Sequence, residues 1–389
     1  MSSTTVHLDS TAILELLKVL GTEASEHRFE VAPNPCVGAA VLALGQEVAK
    51  GFHEQWGGPH AEIMALKAAA KAAAEGGLAQ STWDTLVVTL EPCSTRGKTP
   101  PCVEAILASG IRTVVVGALD PDPRHKGRGI EMLREAGLEV ILVEGRSRLE
   151  EVAPHFLRWL SHDRVRRPRP WTIAKWAQTL SGHLLPPEDV GDGRWISGAA
   201  ARDEVQLLRA KVDAIIVGVG TVMADNPRYS VRPPAQVSGD APARIVLDTA
   251  LRTPPDARLF ESCKEGEAAG PVILLCLPAV GNARREALEA VGAEVVEIRG
   301  VDRVSLHLRS VYEWLWERGF QRVLLETGPK LLRANLEEGF VDQMRVITGD
   351  VRGGRGQSLA SWLVTAKLLQ RKDSEVAPDS VLEAFLESR

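Results

Sequence analysis

Strand-like and helix-like runs alternate twice along this chain of 389 residues. Short apolar runs rich in β-branched residues, such as residues 85–90 and 272–276, are typical of buried strands. The Ala-rich run from His60 to about residue 75 is typical of a helix that ends at Gly76 and Gly77. Such alternation predicts layered α/β domains. A chain of this length exceeds one ordinary core, so we expect two or more of them.

The boundary between the two series is marked by a basic, Pro-punctuated segment, RVRRPRP, at residues 164–170. We expect a first domain over residues 1–146, a linker over 147–170, a second domain over 171–370 and a loosely held polar tail over 371–389. Near the N-terminus, apolar residues at helical spacing predict a helix that ends at Gly21.

The composition excludes several classes of protein. The hydrophobic content of 44% and charged content of 25% are those of a globular protein. A net charge of -5 argues against a large basic surface for nucleic acid. No apolar run is long enough to span a bilayer, and the first residues do not resemble a signal peptide. We therefore expect a cytoplasmic protein, with Cys36, Cys263 and Cys276 as ordinary buried thiols in a reducing compartment.

The remaining two cysteines belong to a metal-binding pattern. His60 opens the sequence HAE, Cys93 closes EPC and Cys102 closes PPC. One imidazole and two thiolates can hold zinc with its fourth position open, as in catalytic sites. Glu62 would then lie beside that position without being a ligand. The alternatives are a structural zinc or no metal and, for Glu62, a solvated charge in a first helical turn.

This arrangement points to one type of chemistry. Bound zinc lowers the pKa of water to about 7, and a neighbouring Glu can pass a proton to a leaving ammonia. The layout H-x-E with P-C-x-x-C is typical of zinc-dependent base deaminases. Here the second cysteine follows the first by nine positions, so the motif is a variant.

Further motifs occur in a fixed order on both sides of the boundary. The first half contains APNPCVG, GGPHAE, TLEPCSTRGKTPPC and ALDPDPRHKGRG, and the second contains AKWAQTLSG, RWISG, LLRAKVDAIIVGVGTVMADNPRYSVR and LLETGPKLL. Over about residues 30–350 the chain resembles the bifunctional riboflavin-biosynthesis deaminase/reductase family. The resemblance implies an α/β fold in which a cytidine-deaminase-like three-layer domain precedes a dihydrofolate-reductase-like domain.

The resemblance also implies a function. A zinc-dependent step would deaminate 2,5-diamino-6-(5-phosphoribosylamino)pyrimidin-4-one, and an NADPH-dependent step would reduce its ribosyl group to ribityl. The cofactors would be Zn2+ and NADPH. The partner would be this small molecule, with no nucleic acid and no membrane, in a homo-oligomer. Three alternatives are a deaminase whose reductase half only binds substrate or supports assembly, a nucleic-acid zinc deaminase, and a noncatalytic metal-stabilised scaffold.

In the first domain, the resemblance assigns Asn34, Lys98 and Asp120 to substrate binding. An amide such as Asn34 can offer both a donor and an acceptor to a pyrimidine. The alternatives are an Asn-Pro turn, an exposed lysine and a turn cap, respectively. His53 is either a group behind the site or an ordinary loop histidine, and Thr95 stands where relatives carry His.

In the second domain, the implied residues mainly bind, because a bound cofactor carries the hydride itself. Arginine suits a phosphate, and an anion suits a helix N-terminus. The implied substrate contacts are Arg209, Tyr229, Arg232 and Glu326. The implied cofactor contacts are Ala177, Trp195, Thr221, Asp225, Gly328, Pro329, Lys330, Leu331, Leu332, Arg333 and Ala334. A solvated helix charge is the alternative for Arg209, and an ordinary core side chain is the alternative for Trp195.

This half also departs from the family pattern. The turn Thr179-Leu180-Ser181-Gly182 lacks an acid, Asn226 replaces an Asp and Thr327 replaces a Gly. Lys330 adds a positive charge to the cofactor turn. The deaminase-only alternative rests on these departures.

Overall fold

The computed structural model describes residues 10–96, 100–123, 125–143, 156, 168–188, 195–278, 280–302 and 305–387. The chain divides into two compact units, Met1–Arg167 and Pro168–Arg389. Most of the linker expected at residues 147–170 lies outside the described residues. Within the described ranges, no helix is long and apolar enough to cross a membrane.

The first unit is built on a mixed sheet with strand order β2-β1-β3-β4-β5 in the described part of the chain. Strand β1 runs antiparallel to β2 and β3, whereas β3, β4 and β5 are parallel. The strands are β1 Gly38–Ala43, β2 Gln46–Phe52, β3 Trp83–Val88, β4 Thr113–Val116 and β5 Glu139–Leu142. The helices are α1 Ser10–Ala24, α2 Arg28–Val31, α3 Ala61–Ala74, α4 Cys102–Ser109 and α5 Arg128–Glu135.

Alternate residues of these strands enter two different cores. Leu86 and Val88 pack in the cluster that includes residues of α3, α4 and α5, whereas Val87 packs with Ile13 and Leu20 of α1. Successive strand side chains point to opposite faces, so a sheet covered on both faces has apolar residues throughout. The predicted three-layer arrangement is confirmed.

Two local features differ from the sequence-based expectation. Helix α1 continues past Gly21 to Ala24, because Gly21 is buried within it. Strand β2 was not predicted, since it is a partly exposed edge strand of polar composition. Gly51 on β2 is required by packing: a Cβ there would lie 2.1 Å from the backbone nitrogen of Ala65 on α3.

The second unit contains a larger sheet with strand order β11-β10-β9-β8-β12-β6-β13-β16-β15 among the described residues. The strands from β11 to β13 are parallel, and β16 runs antiparallel to both of its neighbours. A separate pair joins β7 to β14. The strands are β6 Trp171–Gln178, β7 His183–Leu185, β8 Ala214–Gly218, β9 Ala243–Leu247, β10 Val272–Cys276, β11 Ala293–Glu297, β12 Arg322–Leu325, β13 Gln343–Thr348, β14 Arg355–Ser358, β15 Leu368–Val376 and β16 Asp379–Leu386. The helices are α6 Ala199–Arg209, α7 Val219–Asp225, α8 Asn282–Glu289, α9 Leu308–Glu317, α10 Pro329–Glu337 and α11 Ala360–Thr365.

The expectation of a loose polar tail over residues 371–389 is wrong for the residues described there. Strands β15 and β16 form a hairpin that extends the large sheet. Val381, Ala384 and Phe385 are buried. The segment looks polar in sequence because β15 is an edge strand, which exposes many of its side chains. Likewise Cys263, expected to be buried, is exposed, because it lies in the irregular segment between β9 and β10.

The centre of this sheet defines a place for ligands. The parallel strands β6, β8 and β12 end at one edge, and strands lie on both sides of them. In open α/β sheets, ligands bind in the crevice outside the carboxyl ends of such strands.

Candidate functional site

The three side chains expected to bind zinc converge in the first unit. The Nδ1 atom of His60 lies 3.4 Å from the Sγ of Cys93 and 3.3 Å from the Sγ of Cys102. All three ligand atoms lie within 4.8 Å of one another. Zinc bonds of about 2.0–2.3 Å in a tetrahedral arrangement place ligand atoms roughly 3.5 Å apart, so this donor set fits zinc.

Two of the three residues lie at the N-terminal ends of helices. His60 is the N-cap of α3, and Cys102 is the first residue of α4. The backbone N–H of Cys102 donates a hydrogen bond to the Sγ of Cys93 at 3.2 Å. A hydrogen bond with Cys102, together with His60, lowers the pKa of Cys93 against the effect of burial. The Cys93 thiolate is therefore favoured, while the same hydrogen bond and burial raise the pKa of Cys102.

Glu62 lies in the first turn of α3 and is only 3% exposed. Burial raises the pKa of its carboxyl group, and both Cys102 and His60 interact with that group. The interpretation of Glu62 as a solvated surface charge is therefore wrong. A buried carboxyl with a raised pKa holds a proton more readily than a solvated one, which suits a group that takes up a proton and passes it on.

The amide of Asn34 is held by a histidine. The Nδ2 of Asn34 lies 3.1 Å from the Nε2 of His53, and the Nδ1 of His53 lies 2.9 Å from the carbonyl oxygen of Pro59. Burial lowers the pKa of His53 to about 4, so the ring is neutral. A neutral ring that donates to the Pro59 carbonyl accepts from Asn34, which fixes the orientation of the amide. The two rings of His53 and His60 pack edge to face, with centroids 5.2 Å apart.

Asp120 caps a local turn, because its Oδ1 accepts the backbone N–H of Asp122 at 2.8 Å. Burial raises the pKa of the Asp120 carboxyl group. The turn-cap alternative therefore describes at least one contact of this residue. Thr95 is exposed. Lys98 lies outside the described residues.

Glu91 is a residue of this site that sequence reasoning missed. Its carboxylate accepts backbone N–H groups of Asp120, Gly127 and Gly129 at 3.2, 2.8 and 2.9 Å. These hydrogen bonds hold the loop after β4 close to Glu91 and hence near Cys93. The signal was its position in EPC next to a metal ligand, but its partners lie about 30 or more residues away, and no local pattern identifies them.

In the second unit, a buried group of charges lies at the carboxyl ends of the central strands. Arg209 donates from Nε and Nη2 to the two carboxylate oxygens of Glu326, at 2.7 and 3.0 Å. The Nζ of Lys175 lies 3.8 Å from the Oε2 of Glu326. The hydroxyl of Tyr229 donates to the carbonyl oxygen of Glu326 at 3.2 Å, and the Arg209 guanidinium lies 5.3 Å from the Tyr229 ring. Arg209 is therefore not a solvated helix charge.

The predicted cofactor residues partly share the same edge. Ala177 is near the end of β6, Thr221 is in α7, and Gly328 is the N-cap of α10. The Oγ1 of Thr221 accepts the backbone N–H of Gly328 at 3.1 Å, and the Oγ1 of Thr327 accepts that of Gly218 at 3.1 Å. The departure to Thr at position 327 thus joins β8 to the turn after β12.

The turn before α10 fits a dinucleotide. A Cβ at Gly328 would meet only the Thr221 hydroxyl, at 3.4 Å, so space lies beside this backbone. The first N–H groups of a helix lack intrahelical partners and favour an anion such as a pyrophosphate. At the same sheet edge, beyond β9 and β10, lies a cavity of about 570 Å³ lined by residues including Thr249 and Arg284.

The remaining predicted residues of this half lie in varied surroundings. Asp225 and Arg232 are exposed, and Trp195 is 63% exposed with the Arg202 guanidinium 5.3 Å from its ring. The interpretation of Trp195 as a core side chain is therefore wrong. Within α10, Pro329 is at the start, Lys330 is exposed and Arg333 is half-buried, whereas Leu331, Leu332 and Ala334 pack against the core. A contact of Leu332 with a cofactor would therefore involve its backbone.

Side-chain hydrogen bonds hold the turn after β6, which departs from the family pattern. The hydroxyl of Ser181 lies 3.1 Å from the Thr179 hydroxyl and donates to the carbonyl oxygen of Gly353. Asn226 adopts a left-handed conformation with φ 43° at the end of α7, and its Oδ1 accepts the backbone N–H of Arg258. Both departures from the family pattern therefore form specific local contacts.

Comparisons with known proteins agree with this geometry. Residues 170–378 match the model of the RibD C-terminal domain, and residues 10–118 match that of the cytidine and deoxycytidylate deaminase zinc-binding region. The riboflavin biosynthesis protein RibD of Aquifex aeolicus is 35% identical over 343 residues, covering 88% of each chain. That of Bacillus amyloliquefaciens is 36% identical over 81% of this chain and 78% of its own.

Solved structures give the same answer for the whole chain. Acinetobacter baumannii RibD superposes with a TM-score of 0.63 at 27% identity, covering 96% of this chain and 99% of its own. The deaminase/reductase of Thermotoga maritima gives a TM-score of 0.62 at 29% identity with the same coverage. With one unit matching the zinc-binding deaminases and the other the RibD reductase domain, this chain belongs to the RibD family of bifunctional riboflavin-biosynthesis enzymes.

Proposed function

We propose that this chain catalyses two consecutive steps on one riboflavin precursor. The first removes the 2-amino group of 2,5-diamino-6-(5-phosphoribosylamino)pyrimidin-4-one, and the second reduces the ribosyl side chain to ribityl. The supporting observation is that His60, Cys93 and Cys102 converge beside the buried Glu62. The similar Thermotoga maritima protein is a deaminase and a reductase of such phosphoribosylaminopyrimidines, which supports the choice of substrate.

In the deaminase step, His60, Cys93 and Cys102 would hold zinc, which would supply Lewis acidity towards water at neutral pH. We assign the proton transfers to Glu62, whose buried carboxyl takes a proton from the attacking water and returns it to the leaving amine. We assign orientation of the pyrimidine ring to Asn34, whose amide His53 already holds in one orientation. Asp120 and Lys98 complete the set of substrate residues that we propose.

In the reductase step, bound NADPH supplies the hydride. The turn at Gly328 and the start of α10 would hold its pyrophosphate, and the cavity beyond β9 and β10 would receive the rest of the dinucleotide. Ala177, Trp195, Thr221 and Asp225 are the other cofactor residues that we propose.

Substrate binding in this half is assigned to the charged group around Glu326. Arg209 and Arg232 would bind the phosphate, and Tyr229 supports the backbone of Glu326 through its hydroxyl. Reduction also needs a proton, and Lys175 is the donor that we assign, because its ammonium group lies in the site against Glu326.

A single assay tests both steps. The purified chain is given the diaminopyrimidinone precursor, and ammonia release and NADPH oxidation are followed together. We expect equal amounts of both products. Glu62→Gln should retain zinc but slow ammonia release by roughly 10²–10⁴-fold, whereas Glu75→Gln, at the exposed end of the same helix, should behave as wild type. Full ammonia release by Glu62→Gln would refute the role of Glu62.

The same assay separates the alternative of an inert reductase half. Ammonia release without NADPH oxidation, even when the deaminated intermediate is supplied, would support that alternative. The Arg209–Glu326 pair and its neighbour Lys175 form a complete charged site, which favours an active reductase.

We also propose that the enzyme works in the cytoplasm on this small molecule, without nucleic acid, as a homo-oligomer. The net charge of -5 supports the absence of a nucleic-acid partner. Val364, which is 86% exposed, and the edge strand β15 support association between copies. Light scattering coupled to size exclusion tests the oligomeric state, and a monomer at micromolar concentration would refute it.

A further inference from the structure

A row of charged residues crosses the large sheet on one face. Lys175 of β6 pairs with Arg345 of β13, and Arg345 pairs with Glu383 of β16. Glu326 follows β12 directly, one position beyond the pairing of Leu325 with Ala174, and is therefore level with Lys175. Directly paired residues on adjacent strands project from the same face. We call Glu326, Lys175, Arg345 and Glu383 the charge row.

Residues near both ends of the charge row form ion pairs with helix α6. The Nη1 of Arg345 donates to the Oε1 of Glu383 at 3.0 Å, and its Nη2 forms an ion pair with Glu204 of α6. At the other end, Glu326 binds Arg209 of the same helix. Helix α6 therefore places the acidic Glu204 against Arg345 and the basic Arg209 against Glu326.

The side chains of the row are largely removed from water. The exposed fractions are 16% for Lys175, 15% for Arg345, 10% for Glu383 and 9% for Glu326. Neighbouring strands are about 4.8 Å apart, so these charges act on one another across short distances with little screening. Lys175 thus lies between one attractive neighbour, Glu326, and one repulsive neighbour, Arg345.

The carboxylates of Glu383 and Glu204 reduce the electrostatic repulsion between Arg345 and Lys175. Both are bound to the Arg345 guanidinium, so they offset its charge. Glu326 is then the carboxylate that Lys175 contacts, at 3.8 Å. The C-terminal hairpin, through Glu383, consequently reaches the site assigned to reduction.

We propose that Arg345, clamped by Glu383 and Glu204, is a positioning residue that holds the ammonium group of Lys175 against Glu326 during the reductase reaction. This inference rests on the proposed reductase function. It makes the hairpin of β15 and β16 a part of the reductase site rather than only an edge of the sheet.

Two substitutions have opposite predicted effects. The groups that face Lys175 are Glu326, Arg209 and Arg345; burial lowers the pKa of Lys175, Glu326 raises it, and the two arginines lower it. Arg345→Met removes a repulsive charge, so the pKa of Lys175 should rise. Glu383→Gln leaves the charge of Arg345 less compensated, so the pKa of Lys175 should fall. A purely structural role would not produce shifts of opposite sign.

The ionisation of Lys175 can be measured without any enzymatic activity. Brief reaction with acetic anhydride across a pH series, quantified by peptide mass spectrometry, gives a titration curve for this one lysine. Arg345→Lys, which keeps the charge, should give a nearly wild-type curve. Arg285→Met is the matched control, because it also removes an arginine that is paired with a carboxylate. Arg285 donates a hydrogen bond to Glu297 at 2.6 Å, and Glu297 lies on β11, the strand at the opposite edge of the sheet from β15.

NADPH oxidation provides the second measurement. In Arg345→Met we expect kcat to fall by about tenfold to 100-fold with little change in KM for NADPH, since the substitution misplaces a reacting group and leaves the groups that bind NADPH intact. Ammonia release should be unchanged. Unshifted titration curves, shifts of the same sign in both variants, or a wild-type kcat in Arg345→Met would overturn the positioning role. Absence of NADPH oxidation in the wild type would instead overturn the proposed reductase function, and with it any role of Arg345 in that reaction.

Discussion

The pair formed by Arg209 and Glu326 yields a prediction in which the two partners are not equivalent. Glu326 neutralises two buried cations, Arg209 and Lys175, whereas the described contacts give Arg209 this one carboxylate. The pair is buried, with side-chain exposures of 11% and 9%. Breaking such a pair from one side costs about 3–5 kcal/mol, out of the roughly 5–15 kcal/mol that stabilises a typical domain.

The two single substitutions should therefore differ in free energy of unfolding. Glu326→Gln leaves two uncompensated cations side by side, so we expect a loss of about 4–5 kcal/mol. Arg209→Met leaves Glu326 with Lys175 at 3.8 Å, so the loss should be smaller, about 3 kcal/mol. The double variant should lose less than the sum of the two, because no buried pair is then half removed.

The pH dependence of Glu326→Gln follows from Lys175. Burial lowers the pKa of Lys175, and Glu326 opposes that shift. Without Glu326 the folded-state pKa falls further below the unfolded value of about 10.4. Between these two values the unfolded chain binds the proton that the folded chain has lost, so stability rises with pH in that window. In the wild type, burial raises the pKa of Glu326, but Arg209 and Lys175 outweigh burial and hold this pKa below its usual value. The ionised Glu326 therefore stabilises the folded state at neutral pH, and this stabilisation is lost only as the pH falls through the lowered pKa.

Urea unfolding at several pH values, with hydrogen exchange of peptides from β6 and β12, measures these differences in the second unit alone. The peptides of β3 and β4 in the first unit serve as an internal control. Equal losses in the two single variants, or a Glu326→Gln variant whose stability falls as the pH rises towards the unfolded pKa of lysine, would refute this reasoning.

Three further predictions concern the first unit. Glu62→Gln should slow ammonia release by roughly 10²–10⁴-fold with unchanged zinc content, and NADPH oxidation of the deaminated intermediate should continue. Glu91→Gln weakens three backbone hydrogen bonds, so ammonia release should fall and exchange of residues 120–129 should rise, with β5 peptides unchanged. Removal of zinc by a chelator should abolish ammonia release and leave reduction of the deaminated intermediate intact; loss of both activities would contradict two separate sites.

The order of elements and the metal site could be read from the sequence because their signals are local. Apolar runs with a period of two or 3.6 residues identify strands and helices wherever one face is buried. The ligands His60 and Cys102 are at helix starts, where capping and proline give recognisable patterns. Strands β2 and β15 were missed for the converse reason, since exposed edge strands carry no strong apolar pattern.

The tertiary structure decided which distant residues act together. Nothing local associates Glu91 with Gly129, or Arg345 with Lys175 and Glu383, because strand pairing and helix packing bring them into contact. By itself the sequence determined two α/β units, a His-Cys-Cys site and the residue types that suit each chemistry. The chain's folded arrangement decided the burial, the partners and hence the charge states of those residues. These properties depend on contacts between segments far apart along the chain, which no periodicity or motif encodes.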